Sequence, residues 1–404
     1  VRDLRANENT FQFCDVRSLA VTDQPRYDPT LSSWDDYPVH QVAETIRHPA
    51  TSDRNFYDRY YFNCHGSADD LMLITGIGQY PNLGTQDAYV VVRRGQSHRV
   101  VRASRPLTDR MDTSVGPFHI EVLEPLKKLR VVLDATEHDL AYDLTWEGVI
   151  PAYQEPRQFI RKYGRVLFDT QRLAQTGTWT GTIEVAGETI EVTPDRWSGT
   201  RDRSWGVRPV GEPEPAGIRE GEGQMSGMWN YAPIKFDDFS ILYIVQETDD
   251  GDRPLEEAVR IWNDPERQPD FLGRPEHEHT LVPGTRKVEQ GRITFPEAPG
   301  GPIEVDITSL LECAVAIGTG YGLDADWRHG MYHGRDLVVQ GLHLSYDDAE
   351  DTARLEQPWG IVDHVARFEL TEGGETITGY GLHEHGFFGP YARYGLEGYD
   401  GMAP

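Results

Sequence analysis

Cysteine is scarce in this chain. Cys14, Cys64 and Cys313 are its three cysteines in 404 residues, and none lies at the CxxC spacing of a zinc or redox motif. So sparse and odd a set is expected to stay reduced, as in a cytoplasmic protein, with no disulfide framework replacing a core. Long apolar runs are missing too: nothing approaches the roughly 18 residues needed to span a bilayer. The N-terminal Val1-Arg-Asp-Leu-Arg5 carries no signal-type apolar region. Positive charge is also in short supply, with 39 Lys+Arg against 66 Asp+Glu and a formal charge of −27. Without a Lys/Arg cluster, nucleic acid is not an expected partner. Anionic membrane surfaces would repel so acidic a chain, and membrane insertion is not expected. No Gly-x-Ser-x-Gly elbow occurs. Gly76-Ile-Gly78 and Gly318-Thr-Gly320-Tyr-Gly322 follow apolar runs but lead into no amphipathic helix, so they read as turn glycines and not as a dinucleotide loop. No cofactor is expected.

What is present is β-structure. Short β-branched and aromatic runs recur from Phe56 onward, among them Tyr60–Cys64, Leu71–Thr75, Ala88–Val92, His119–Leu123 and Leu129–Leu133. Turn residues separate them, as in antiparallel sheets closed into sandwiches or barrels. Thr178–Val185 and Gly187–Val192 read as a hairpin turning at Ala186-Gly187. Phe56–Tyr61, an Asp69-Asp70 turn and Leu71–Thr75 are echoed by Met228–Tyr231, Asp237-Asp238 and Ile241–Val245. The echo predicts two related all-β domains, 56–206 and 224–404, joined by a Gly/Pro/Glu-rich linker at 207–223. Residues 1–55, polar and Pro/Asp-rich, are expected to form a wrapping arm with a short helix near His40–Arg47. Leu255–Arg260 reads as a helical turn or the approach to a strand.

Two His-x-His pairs could each present both imidazoles on one strand face, as metal ligands need. His277-Glu-His279 lies in a polar, Pro-rich stretch and reads as surface. His383-Glu384-His385 lies between apolar residues and is expected to line a pocket, with no metal. The densest constellation is Trp197-Ser-Gly-Thr-Arg201-Asp202-Arg203-Ser204-Trp205-Gly206-Val-Arg208-Pro209. Tryptophan supplies rigid walls, and a buried carboxyl among apolar walls keeps its proton. The plain alternative is an Arg–Asp pair locking one domain to the next.

Gly199-Thr-Arg201-Asp202-Arg203-Ser204-Trp205-Gly206-Val-Arg208 resembles the Gly-x-Arg-Asp-His-Ser-Trp-Gly-x-Arg string of the tandem lipocalin-like (calycin) superfamily. That group includes carotenoid 1,2-hydratases, AttH-like proteins and lipocalin-like Diels–Alderases. Arg203 stands where the histidine is usual. Gln175–Gly181, Met228–Tyr231 and Gly379–Gly386 also resemble an actinobacterial branch of the group. The resemblance implies two lipocalin-like antiparallel β-barrels with few short helices, and a pocket for a hydrophobic small molecule.

The expected function is an enzyme, a lyase or an isomerase/cyclase, acting on a terpenoid, polyketide or aromatic molecule inside a barrel. The reaction would be acid-assisted hydration, dehydration, isomerisation or cyclisation. Asp202 is the expected acid, or else the orienting partner of Arg201. His383, Glu384 and His385 form an alternative acid/base set. Trp197, Trp205, Trp229, Tyr231 and Tyr243 are the expected walls. Two other functions stay open: a non-catalytic carrier of a hydrophobic ligand, and a metal-dependent enzyme using the His-x-His pairs.

Overall fold

The computed structural model describes residues 31–162, 164–214, 226–322, 324–356 and 361–404. Cys14 and the remainder of the 1–30 stretch, and positions 215–223 of the expected linker, lie outside the described residues. In chain order come β1 (Phe56–His65), β2 (Leu71–Tyr80), β3 (Thr85–Arg94), β4 (Ser97–Pro106), β5 (Ser114–Val115), β6 (Phe118–Glu124), β7 (Lys128–Leu133) and β8 (Leu140–Gly148). Short β9 (Tyr153–Gln154) and β10 (Gln158–Lys162) precede the long β11 (Arg165–Val185), then β12 (Glu188–Val192) and β13 (Ser198–Val207). The later half supplies β14 (Gly227–Lys235), β15 (Phe239–Glu247), β16 (Leu255–Trp262), β17 (Asp270–Phe271), β18 (Glu276–Leu281), β19 (Val288–Phe295) and β20 (Ile303–Cys313). It ends with β21 (Val338–Ser345), α1 (Ala349–Leu355), β22 (Val362–Glu372) and β23 (Glu375–Phe388).

These strands form two antiparallel sheets, in agreement with the all-β expectation of two lipocalin-like barrels. The first runs β21-β4-β3-β2-β1-β13-β11-β8-β7-β6-β5, and the second β17-β16-β15-β14-β23-β22-β20-β19-β18. The first sheet curls until β5 approaches β3 and β4. One strand crosses from the later half into the first sheet: β21 pairs with β4.

Burial explains the strand patterns. Leu71–Thr75 and Ile241–Val245 are apolar without alternation, and β2 and β15 are buried along their whole length. Such runs belong to strands covered on both faces. β18 alternates exposed and buried, with one face in solvent. On β1, Phe62 and Cys64 enter the first barrel, where Trp146 and Trp179 meet edge to face at 5.1 Å. Tyr61 points the other way, into a cluster with Met72, Ile74 and Tyr89 of the first sheet and Trp229, Tyr231 and Leu382 of the second. A third cluster, containing Met228, Tyr243 and Phe295, fills the second barrel.

Several local expectations find their structures. The Asp69-Asp70 and Asp237-Asp238 turns join β1 to β2 and β14 to β15. Ala186 and Gly187 take φ of 52° and 81° at the β11–β12 turn, the positive values a two-residue hairpin requires. Leu255–Arg260 is strand, in β16, whereas Gly76 and Gly78, read as turn glycines, lie instead inside β2, where a Cβ at Gly76 would meet the Tyr60 carbonyl oxygen of β1 at 2.4 Å. The helix expected at His40–Arg47 is absent. Ser33–Asp36 instead forms a single 3-10 turn capped by Ser32. Asp35 then accepts from the Ile46 amide at 2.9 Å and pairs with His40 at 2.8 Å, holding the following residues as bends. Among the described residues no helix is long and apolar enough to cross a membrane. Cys64 and Cys313 are buried free thiols.

Gly199 shows why the 199–208 string needs glycine. A Cβ there would lie 2.0 Å from the Asn63 carbonyl oxygen, a backbone atom of the neighbouring strand. Gly199→Ala is therefore expected to cost about 1–3 kcal/mol, the usual range for overpacking. Chemical denaturation of the variant checks it, and unchanged stability would contradict this close approach of β13 to β1.

Candidate functional site

A cavity of about 970 Å³ opens between the two sheets. Arg59 and Tyr61 of β1, Arg172 of β11, and Asp202 and Ser204 of β13 line it from the first sheet. Trp229 of β14, Leu255 of β16, and Glu384 and Phe388 of β23 line it from the second. The rim comes from Arg208–Glu214, the described part of the expected linker, and from Gly320–Gly322 with His329. The barrel interiors, where a ligand was expected, are filled by their own side chains: Phe62, Trp146 and Trp179 pack the first, and Tyr243 and Phe295 the second.

Strand register decides which predicted residues meet. Tyr61 is the cross-strand partner of Asp202 and Phe62 that of Arg201. Cross-strand partners share a face and successive residues alternate, so Asp202 and Ser204 turn to the cavity while Arg201 turns towards the first barrel. Asp202 and Arg201 therefore do not pair. Arg201 is buried and donates from Nε to Gln175 Oε1 at 2.9 Å, and burial lowers its pKa to about 10. Arg203, standing at the usual histidine position, bonds Asp58 and lies over the Tyr60 ring at 4.3 Å. Trp205 shares the alternate face of Arg201 and Arg203 and does not line the cavity, and Trp197 is buried in the first barrel. Trp229 lines the cavity, Tyr231 packs behind it, and Tyr243 lies in the second barrel.

Asp202 has no hydrogen-bond or ion-pair partner among the described residues, and burial raises its pKa despite the more distant Arg172, Arg59 and Arg208. Glu384 accepts a hydrogen bond from the Trp229 indole N–H. Its cross-strand partner is Asp363, 0% exposed, whose Oδ2 accepts from the Tyr61 hydroxyl at 2.6 Å. Burial first, and then mutual repulsion, raises Asp363 far above the ordinary carboxylate range. Burial also raises Glu384, while the Trp229 N–H and Arg172 oppose the rise. Of the two, Asp363 is pushed up the more strongly, and its Oδ1 is buried without a hydrogen-bond partner. Arg172 is paired with buried Glu155 at 2.5 Å and lies over the Trp229 and Tyr231 rings at 5.3 and 4.9 Å.

Asp363, Glu155, Arg172 and Arg59 were not singled out in the sequence. Asp363 left little signal, because His364 and Arg367 beside it make Val362–Phe368 read as a partly polar strand.

His383 and His385 flank Glu384 and turn into the second barrel. His277 and His279, expected at the surface, are buried there too, because alternation on β18 places both on its inner face. His364, the cross-strand partner of His383, completes the group. Ring centroids lie 5.5 Å apart for His277–His279, 5.7 Å for His279–His383, 5.1 Å for His383–His385 and 4.9 Å for His364–His385. Asn230 bridges two of them, donating from Nδ2 to His279 Nε2 at 2.6 Å and accepting from His383 Nε2 at 3.1 Å. Among the described residues no three His, Cys, Asp or Glu side chains are disposed to hold a metal ion.

Burial keeps these imidazoles neutral, with His383 lowered to about 4. The unfolded chain takes up protons below about 6.5 and the folded protein does not, so stability present above that pH is lost as pH falls towards 4. His383→Gln is expected to remove about 3 kcal/mol from the stability difference between pH 7 and pH 4. Urea unfolding at both values measures this, and an unaltered difference would show that His383 already carries a proton in the folded state.

No curated protein matches the sequence significantly. Among solved structures, kievitone hydratase from Nectria haematococca is similar with a TM-score of 0.48 and 12% identity, over 81% of this chain and 88% of that one. A protein assigned as AttH from Nitrosomonas europaea gives 0.48 and 14%, over 84% and 94%. CghA, solved with Sch210972, gives 0.48 and 12%, over 83% and 89%. A family of unknown function, DUF8625, matches residues 31–397, and the chain belongs to that family.

Proposed function

We propose that the protein is an enzyme that acts on a small, largely apolar molecule in the cavity between its barrels, adding or removing water or rearranging a double bond or ring by acid–base chemistry. The observation that carries this is the pair of carboxyl sites on facing sheets: unpartnered Asp202 on one, and the cross-strand Glu384–Asp363 pair, both raised by burial, on the other. A cavity serving only to hold a ligand gains nothing from acids kept above their ordinary pKa by burial. A catalyst that must deliver a proton near neutral pH does.

The chemistry follows from the residues present. A protonated carboxyl at Asp202 gives its proton to an alkene or carbonyl. The Glu384 carboxylate stabilises the cation that forms, since Arg172 already lies over the Trp229 ring. Glu384, backed by Asp363 and oriented by the Trp229 N–H, takes a proton from attacking water or from the adjacent carbon. The pair thus accepts one proton for each that Asp202 gives, and solvent exchange restores both.

Glu384→Gln and Asp202→Asn are each expected to lower turnover about 100-fold or more. His383→Gln, on the opposite face of the strand, should change it little. The assay is mass-spectrometric detection of water gain, water loss or isomers across a panel of terpenoid, polyketide and aromatic alkenes. Turnover equal to wild type in both carboxyl variants would overturn the proposal. The rate should also fall as pH rises, because the acid must hold its proton and its pKa is raised from the ordinary value, not lowered.

A further inference from the structure

The guanidinium groups around the cavity are not all answered. Arg172 has Glu155, and Arg54 and Arg165 meet Glu214 at the rim. Arg59, Arg208 and Arg328 also line the cavity, yet among the described residues no carboxylate lies within ion-pair distance of any of them. Arg208 rests over the Tyr57 ring at 4.4 Å, and Arg328 has a buried Nε with no partner.

Arg59 is the most telling, because it is only 4% exposed. Tyr89 and Tyr321 present their rings to it at 5.7 and 5.4 Å, and its nearest polar neighbour is His329. The His329 tautomer is fixed by its surroundings. Nε2 lies 3.0 Å from the Thr319 carbonyl, which can only accept, so Nε2 carries the hydrogen. Nδ1 is then the single acceptor on the ring, and Arg59 Nη1 donates to it at 2.8 Å. Arg59 Nη2, 3.1 Å from Nε2, faces an N–H and makes no bond there, and Arg59 Nε is buried with no partner at all. Asp87 and Asp202 act on Arg59 only from beyond ion-pair distance, and a guanidinium taken out of water with two unsatisfied edges is costly to fold unless something else supplies the acceptors. Proteins match such a fork to planar oxyanions.

We propose that the Arg59 end of the cavity, with Arg208 and Arg328 beside it, recognises an anionic oxygen group on the substrate, making the substrate class an organic acid with an apolar body: a carboxylate, or an enol or phenol bound as its anion. This deepens the reading of the cavity as the substrate site and rests on it. Anchoring by Arg59 would leave the apolar body along Trp229, Leu255 and Phe388, within reach of Glu384.

The test compares two dyes that differ by one charged group, titrated by fluorescence against the full chain. 1-Anilinonaphthalene-8-sulfonate carries an oxyanion, and N-phenyl-1-naphthylamine is the same aromatic body without it. The sulfonate is expected to bind about tenfold more tightly, and Arg59→Gln or Arg208→Gln to bring its affinity to within about twofold of the neutral dye. Neither substitution should move the neutral dye. Arg208, half-buried, tolerates substitution even where loss of Arg59 prevents folding, so it carries the test alone if needed. Leu255→Trp, which fills the cavity, should weaken both dyes. Equal affinities for the two dyes, both weakened by Leu255→Trp, would overturn the oxyanion site and leave the substrate cavity standing. Binding indifferent to Leu255→Trp, or no binding of either dye, would overturn both.

Discussion

Every strand in the shared wall of this protein serves two chambers. Period two forces the choice: on β23, Glu384 goes to the cavity, and His383 and His385 go to the second barrel. On β22, Asp363 goes one way and His364 the other. On β13, Asp202 and Arg201 divide in the same manner. A slip of one residue would put imidazoles in the cavity from β22 or β23 and Arg201 and Arg203 there from β13, with the acids turned into the barrel core. The pairings of β1 with β13, β14 with β23 and β22 with β23 therefore fix the site as much as its side chains do.

Desolvation is the second theme. The same low-dielectric setting that raises Asp202 and Asp363 lowers His383 and leaves Arg59 short of partners. The three outcomes differ because the groups differ. A carboxyl answers burial by keeping its proton and an imidazole by shedding one, but a guanidinium can do neither and must find acceptors. Acids and unpaired arginines in one chamber suit a ligand that brings both an apolar body and negative charge. Neutral imidazoles packed in a barrel suit a core.

Much of this was legible in the residues. The β-branched runs gave the strands, the echo between Phe56–Thr75 and Met228–Val245 matched two equivalent hairpins, and the crowded 197–209 segment proved to carry a cavity carboxyl. Asp202, Glu384 and Trp229 were all on the page as sequence. What periodicity could not supply was which strands neighbour one another. Asp363 meets Glu384 only through the β22–β23 register, and His277 meets His383 only because β18 curls towards the same interior. Polar flanks made His277-Glu-His279 look exposed, whereas alternation buries both histidines and leaves the glutamates outside. The location of the chamber was illegible for a related reason: sequence describes each barrel separately, and the cavity belongs to the gap between them.

The strand exchange at β21 has a consequence for how this architecture could arise and diversify. Because Val338–Ser345 zips onto β4, the earlier half of the chain on its own would expose the full hydrogen-bonding edge of Ser97–Pro106, a template for promiscuous pairing. Recombination that shuffled one barrel as a cassette would leave that edge bare. The two halves are thereby tied into one piece by a single backbone ladder.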